Sequence, residues 1–383
     1  KNMFIEQFCR YAKISTPSNP NATTFPSSQC QFEMQDELFR ELSQLDSVRL
    51  EKTDKCLLYA YYNEQNIQDR LVICTHIDIS FDAPNQNIKP QIHTFNGDDI
   101  ILNGTSIKLD APLGSTIITS DGTTLLGGDD KAGVSIAVLL LKFLVHHKIT
   151  NIPSICFVFT PDEEIGHGTD NISMEKLIGG CKNASGLTLD GKRFKQVTCD
   201  TFNAWSFSIS CSGVTTHAGS AFHAMDCSLS RMVSLISDFQ REFKDPSVSK
   251  DDEGYVFIKD CQLETKFSRI SGLLRSFYGQ EIESFKEKIK QLCDLRLPPS
   301  YNLEFKFQYP NMREFISAEM EAKYQKICAK HGGCFKKFRG GTDGSFLSMK
   351  GLPSPDIWDG AANYHSIQEY VVVEEALEAL QVA

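Results

Sequence analysis

Three features of the sequence predict an α/β fold: a mixed, mostly parallel sheet flanked by helices, interrupted by a second, α+β domain. Short β-branched apolar runs alternate with segments of helical length over the first half of the chain. After Asp190 the pattern changes to strands in which apolar and polar residues alternate. From Met312 onward the first style returns. The length, 383 residues, exceeds one ordinary core and fits two domains, or one large domain with an insertion.

In chain order, Lys1 to Ser47 reads as helical with a break at Pro17 to Ser28. Leu71 to Ile77 (LVICTHI) is a buried strand. Between Ile92 and Leu126, apolar runs are separated by FNGDD, LNGTS and SDGTT, which predict hairpins. Lys131 to His147 is apolar nearly all round, the pattern of a buried helix, and Asn151-Ile152-Pro153 ends it. Ile155 to Thr160 and Gly186 to Leu189 are further buried strands. Trp205, Phe207, Ile209 and Cys211 then mark a strand with one wet face. A helix follows (Ala224 to Phe243), then strand-like runs at Lys266 to Ile270 and Leu273 to Tyr278. A helix (Glu281 to Leu295) and a strand (Leu303 to Gln308) complete the inserted segment. This β-α-β-β-α-β order is the split arrangement of ferredoxin-like domains. The expected division is residues 1–202 with 312–383 for the first domain, and 203–311 for the insertion. A helix near Ile316 to His331, the stretch GGTDGS, a short strand and a helix from Glu374 finish the first domain.

The formal net charge is -10 and no basic run is present, which makes nucleic acid a poor partner. No stretch long enough to span a bilayer is free of charge; the most apolar, Val134 to Val145, carries Lys142. Lys1 to Ile14 has no apolar signal core. The 13 cysteines are scattered without a CxxC pair, and Cys74 and Cys156 sit in apolar runs as small core hydrophobes. This excludes a zinc ribbon and fits a reduced, cytoplasmic compartment.

His, Asp or Glu residues follow apolar runs at HIDISFD (His76, Asp78), GGDDKAG (Asp129, Asp130), TPDEEIGHG (Glu163, Glu164), TLDG (Asp190) and ANYHS (His365). In an open α/β sheet, ligands bind beyond the carboxyl ends of the strands, where His76, Glu163 and Asp190 would converge. The strand period of two puts His76 and Asp78 on one face, so one can bind a metal while the other holds the imidazole. Each motif alone has a plainer reading: an unrelated His/Asp pair, a helix cap at Asp129-Asp130, an exposed charge pair at Glu163-Glu164, a turn at Asp190, a satisfied loop histidine at His365. Together, two histidines and three carboxylates are what two zinc ions need, leaving a charge of about +1 that a hydroxide neutralises. Nitrogen and oxygen ligands without cysteine suit zinc, and also cobalt or manganese.

The stretches TTLLGGDDKAG, TPDEEIGHG, FRGGTDGS and NYHS closely resemble, in this order, the motifs of the peptidase T family of tripeptide aminopeptidases. That family lies in the aminoacylase and carboxypeptidase-G superfamily of dizinc exopeptidases, and the likeness runs from HIDISFD to NYHS, most of the chain. The resemblance implies that His76 and Asp190 bind one metal, Glu164 and His365 the other, and that Asp129 bridges them. It implies that Asp78 orients His76, that Glu163 is the general base, and that a cis peptide joins Asp129 to Asp130. It makes the insertion a lid and dimerisation domain whose His217, in GVTTHAGSA, donates to the oxyanion, in related dimers from the partner subunit. Arg275 in LLRSF resembles a substrate-binding arginine, and Asn311 and Arg339 are weaker substrate contacts. Each arginine also reads as a structural ion pair, and His217 as an ordinary polar loop residue. Two departures stand out: Ala218 where proline is expected, and Ser276 where aspartate is expected. The expected activity is removal of the N-terminal residue of a tripeptide, in a homodimer. The alternatives are a dipeptidase, carboxypeptidase or deacylase on the same metal site, or a catalytically silent binding protein.

Overall fold

A strand buried on both faces has no use for polar alternation, and the least polar runs of this chain form the middle of an eight-stranded sheet. Ser154–Thr160 buries every residue, and Asp69–His76 buries its last five. The computed structural model describes residues 1–191, 193 and 195–383. The sheet runs in the order Val48–Lys52, Leu58–Tyr62, Ser154–Thr160, Asp69–His76, Asn183–Gly191, Asp356–Trp358, Gln196–Thr198 and Cys334–Phe335. The inner strands from Ser154–Thr160 to Asp356–Trp358 are parallel, and antiparallel pairings flank them on both sides. Tyr59, Tyr61, Val72, Cys74, Cys156 and Val158 pack with Leu347 and Leu352 on one side of this sheet.

The long buried helix, Gly128–His146, becomes regular only at Lys131, because Asp129 and Asp130 have non-helical backbone and a cis peptide joins them. Gly133 lies where a Cβ would stand 2.0 Å from the Leu189 carbonyl oxygen and 2.2 Å from the Asp130 carboxylate. The helix therefore sits against the strand Asn183–Gly191 at a distance only glycine permits.

Of the three expected hairpin turns, only Asn103-Gly104 closes one, between Ile100–Leu102 and Thr105–Ile107. Asn96-Gly97 and Asp121-Gly122 do not join paired strands. Gln91–Thr94 pairs instead with the distant Thr116–Thr119, which in turn pairs with Tyr370–Val372. Ile92 opposite Ile118 and Val371 opposite Ile118 set this register, a non-local pairing that a local turn signal does not reveal. Ala361–Ala362 completes this small antiparallel sheet, and the segment between Ala361–Ala362 and Tyr370–Val372 carries His365.

The chain divides into two compact units, the first comprising 1–199, 315–337 and 342–383, the second 200–314 and 338–341. The second contains Asn203–Ser212, Ser228–Glu242, Tyr255–Leu263, Phe267–Ser276, Gly279–Arg296 and Asn302–Tyr309, a β-α-β-β-α-β order. Its sheet is fully antiparallel with Asn203–Ser212 and Phe267–Ser276 at the centre. Phe207, Ile209, Ile270 and Leu274 of the sheet pack with Met232, Leu235, Ile289 and Leu292 of the helices. Two expectations fail here. Phe267–Ser276 is one strand, not two: Gly272 marks no break but a close approach, since its Cβ would stand 2.1 Å from the Phe257 carbonyl oxygen. The neighbouring strand Tyr255–Leu263 was not expected, because it lies at the sheet edge with Val256 its one buried residue and so lacks apolar periodicity. Among the described residues, no helix is long and apolar enough to cross a membrane.

Gly133→Ala should lower unfolding stability by about 1–3 kcal/mol or more, the usual cost of overpacking. The contact partner is backbone, which cannot move aside. Denaturant unfolding would check this, and an unchanged midpoint would show that helix and sheet have slack.

Candidate metal centre

Three adjacent parallel strands deliver the first side chains. His76 ends Asp69–His76 and pairs in register with Thr160, the last residue of Ser154–Thr160. Glu163 and Glu164 follow in a short 3-10 turn, and Asp190 stands at the end of Asn183–Gly191. Asp129 comes from the irregular start of the buried helix, and His365 from the segment between Ala361–Ala362 and Tyr370–Val372. His365 and Asn363 both have left-handed backbone, at φ 58° and 57°. Histidine and asparagine tolerate that region better than most residues, and local strain of this kind collects at functional sites.

The side chains converge on Asp129. One of its oxygens lies 2.8 Å from His76 Nε2, and the other 3.5 Å from His365 Nε2. His76 Nε2 is 3.9 Å from both Asp190 Oδ1 and Glu163 Oε2, while His365 Nε2 is 2.8 Å from Glu164 Oε2. Two ligand groups result, His76 with Asp129 and Glu164, and His76 with Glu163 and Asp190, each with donor atoms close enough to share one ion. Ligands about 2.0–2.2 Å from a tetrahedral ion stand roughly 3.3 Å apart, and the observed separations bracket that figure. Glu164 Oε1 is buried with no hydrogen-bond partner among the described residues, a donor in want of a cation. The residues thus fit divalent cations.

Electrostatics point the same way. Burial pushes the Glu163 and Asp190 carboxyls well above the usual range, with the neighbouring acids adding to it. Burial and Asp129 push Glu164 up to about 7. Burial also opposes charge on the imidazoles, but the carboxylates outweigh it. His76 is held well above its ordinary value and His365 is raised to about 11. Asp129 is buried too, yet the hydrogen bonds of His365 and His76 hold it below the ordinary range.

Asp78 does more than face the imidazole. Its Oδ1 is 3.3 Å from His76 Nδ1, and its two oxygens accept the Glu163 and Glu164 N–H groups at 3.0 and 3.1 Å. One buried carboxylate therefore sets both the histidine and the glutamate turn. Four further residues build the centre, Asp130 and three that the sequence reading did not single out. Asp130 accepts the His76 N–H at 3.0 Å and that of Gly133 at 3.1 Å. Glu369, buried, accepts the N–H groups of Leu126, Gly127 and Asp129 at 2.8, 2.8 and 3.0 Å, and so fixes the backbone from which Asp129 reaches. Asp82 Oδ2 lies 3.2 Å from His365 Nδ1. Asp343, buried, accepts from the Thr160 hydroxyl at 2.7 Å. The sequence did hold signals for two of them: Asp82 is the last letter of HIDISFD, and Asp343 is the aspartate of GGTDGS. Glu369 had none beyond its nearness to NYHS.

The remaining candidates belong to the second unit. His217 caps an exposed 3-10 turn, its Nδ1 accepting the Gly219 N–H at 3.1 Å, and Ala218 opens that turn. Arg275 is buried. Its Nη1 donates to the carbonyls of Trp205 and Leu274 at 3.0 and 2.9 Å, and its guanidinium lies over the Tyr309 ring. Ser276 donates to Glu281, whose carboxylate accepts from it, and accepts the Tyr278 N–H at 3.0 Å. Asn311 bonds to Thr201, Asp200, Phe277 and Arg313, which makes it a structural knot. Arg339 donates to the carbonyls of Asp251 and Glu253 and to the Ser249 hydroxyl, and so ties down the loop 249–253.

Residues 118–383 match the profile of Peptidase family M20/M25/M40. Over its whole length the chain is 31% identical to peptidase T of Shouchella clausii, of which it covers 97%. Its fold is that of a tripeptidase from Staphylococcus aureus, with a TM-score of 0.75 at 19% identity, covering 100% of this chain and 96% of that one. A dinuclear metal-binding peptidase of the M20 family from Bacillus subtilis has the same fold, with a TM-score of 0.68 at 13% identity over 100% and 95% of the two chains. The chain therefore belongs to peptidase family M20/M25/M40 and, within it, to the peptidase T group of metallo-exopeptidases.

Proposed function

We propose that this enzyme removes the N-terminal residue of tripeptides at a centre of two zinc ions. The observation that carries the reading is Asp129, whose two oxygens face His76 and His365 separately, with Glu163 beside them. His76 and Asp190 hold one ion, Glu164 and His365 the other, and Asp129 both. Bound there, the ions supply Lewis acidity toward the scissile carbonyl and acidify a water at neutral pH. The chain's own residues do the rest. Glu163, whose proton affinity burial raises, accepts a proton from the attacking water and returns it to the departing amine. Asp78 keeps His76 in one tautomer and the Glu163–Ile165 turn in place. His217 donates to the developing oxyanion, supplied in a homodimer by the partner subunit, and Arg275 receives the peptide carboxylate. In the same reading, residues 203–311 form the lid and dimerisation domain, Asn311 and Arg339 shape its substrate-facing side, and the enzyme recycles peptides in the cytoplasm.

Glu163→Ala should abolish turnover while both zinc ions remain bound, measured by tripeptide hydrolysis and metal analysis of the same sample. Normal activity would remove Glu163 from its role. Hydrolysis of a tripeptide, the matching dipeptide, an N-acetylated tripeptide and an N-acetyl amino acid, each with zinc and with chelator, tests the substrate. Cleavage confined to the free-amine tripeptide is expected; cleavage of the acetyl amino acid would make the enzyme a deacylase. A third expectation concerns protons. His76 and His365 are held protonated, and Glu164 partly so near pH 7, until cations displace those protons. Zinc affinity should therefore rise with pH, by about tenfold per unit for each proton released. Calorimetry in buffers of different ionisation enthalpy would detect the release, and affinity that is flat between pH 6 and 8 would contradict it.

A further inference from the structure

One stretch of chain, residues 14–31, meets three of the five segments that carry the centre. Thr16, fully buried, donates from its hydroxyl to the Ile77 carbonyl at 2.7 Å. The Thr16 carbonyl accepts the Ile79 N–H at 3.0 Å, and the Ser18 N–H donates to the Ile79 carbonyl at 3.2 Å, so Pro17 and Ile79 form a parallel bridge. This grips the backbone on both sides of Asp78. The Ile14 carbonyl accepts from the ammonium of Lys131, the residue after Asp129-Asp130. Lys131 is itself completely buried, so this bond fixes the helix start to the stretch. At the other end, Asp162 immediately precedes the glutamate turn and has left-handed backbone at φ 59°. Its carboxylate accepts the Ser27 N–H at 2.6 Å, the Ser27 hydroxyl, and the Gln31 amide at 2.6 Å. The Gln31 side-chain oxygen, Oε1, accepts the Asp162 N–H in return, at 3.1 Å. Gln31 and Asp162 are both buried, so they form a reciprocal clasp shielded from water.

We infer that residues 14–31 act as a strap that positions the catalytic loops, with Gln31 the positioning residue for Glu163. Apart from the His365 contact with the Glu164 side chain, the glutamate turn is anchored from outside, in the described residues, by Asp78 on the N–H groups of Glu163 and Glu164 and by Ser27 and Gln31 on Asp162. Without the clasp, an aspartate in an unfavourable backbone region keeps only the bonds of Ser27, its own N–H loses its partner, and the carboxylate one residue on is held less firmly. Displacements of about 1 Å at a reacting group cost of the order of a hundredfold in rate.

The inference rests on Glu163 being the base, and the test separates the two. Gln31→Met keeps length and volume and removes both hydrogen bonds to Asp162, along with the weaker ones to the Ser27 and Ser28 hydroxyls. Gln35→Met is its matched control. Gln35 lies one turn later in Gln31–Leu42, is equally buried, and donates to the carbonyls of Leu57 and Thr53, neither part of the centre. In the zinc-loaded full chain, Gln31→Met should lower kcat for a tripeptide at least about tenfold with KM within about twofold. It should also speed amide hydrogen exchange over residues 161–168. Gln35→Met should lower the thermal midpoint comparably and leave kcat and that exchange within about twofold of the parent. Unchanged kcat and exchange in Gln31→Met would overturn the strap, as would an equal loss of kcat in Gln35→Met. A parent enzyme inactive on the tripeptide, or a fully active Glu163→Ala, would instead overturn the proposed function.

Discussion

The structure is organised around a charge problem. Asp129, Glu163, Glu164 and Asp190 crowd one end of a sheet, against two imidazoles that cannot neutralise them all. In a medium less polar than water, like charges this close oppose folding, and a pair of divalent cations is the compensation with the right charge and ligand chemistry. Everything around the cluster makes the concentration tolerable. Backbone N–H groups point at the carboxylates one step out: Glu369 receives three, Asp78 two, Asp130 two. Each buried acid thus holds down a stretch of main chain that carries a ligand.

This division of labour explains which residues are interchangeable and which are not. The inner acids need reach and charge. The outer acids need the spacing of two oxygens against fixed N–H groups, which an amide supplies only in part. Glycines complete the design where side chains would intrude: at Gly168, a Cβ would stand 2.3 Å from the Asp343 carboxylate, and at Gly128, 3.1 Å from that of Glu369. The chemistry sits at strand ends, while its precision comes from loops crossing behind them.

His76, Glu163, Glu164 and Asp190 were legible because they stand at or just beyond the ends of apolar strands; Asp129 and His365, from a helix start and a connecting segment, stood out only through the motifs around them. The parallel core was legible for the same reason, since Ser154–Thr160 and Asp69–His76 tolerate almost no polar residue. Asp162 and Glu369 were not, because an acid that grips backbone N–H groups leaves no periodic trace and its partners lie far along the chain. The edge strand Tyr255–Leu263 escaped for a related reason: half exposed, it is specified by its neighbour's hydrogen bonds more than by its own side chains. The two runs expected within Phe267–Ser276 show the converse error, since Ser271 and Gly272 interrupt the apolar pattern while the strand continues and Gly272 serves as clearance.

The cluster also ties the chain to itself across its length. Asp82 and His365, in contact at the centre, are 283 positions apart. Closing a loop of that size costs chain entropy, and an ion gripped from both ends lifts part of that cost in the way a covalent cross-link does. Cations bound there would be staples as well as reagents. Without them the chain would be idle and also easier to unfold, since a ligand held only by the folded state stabilises it.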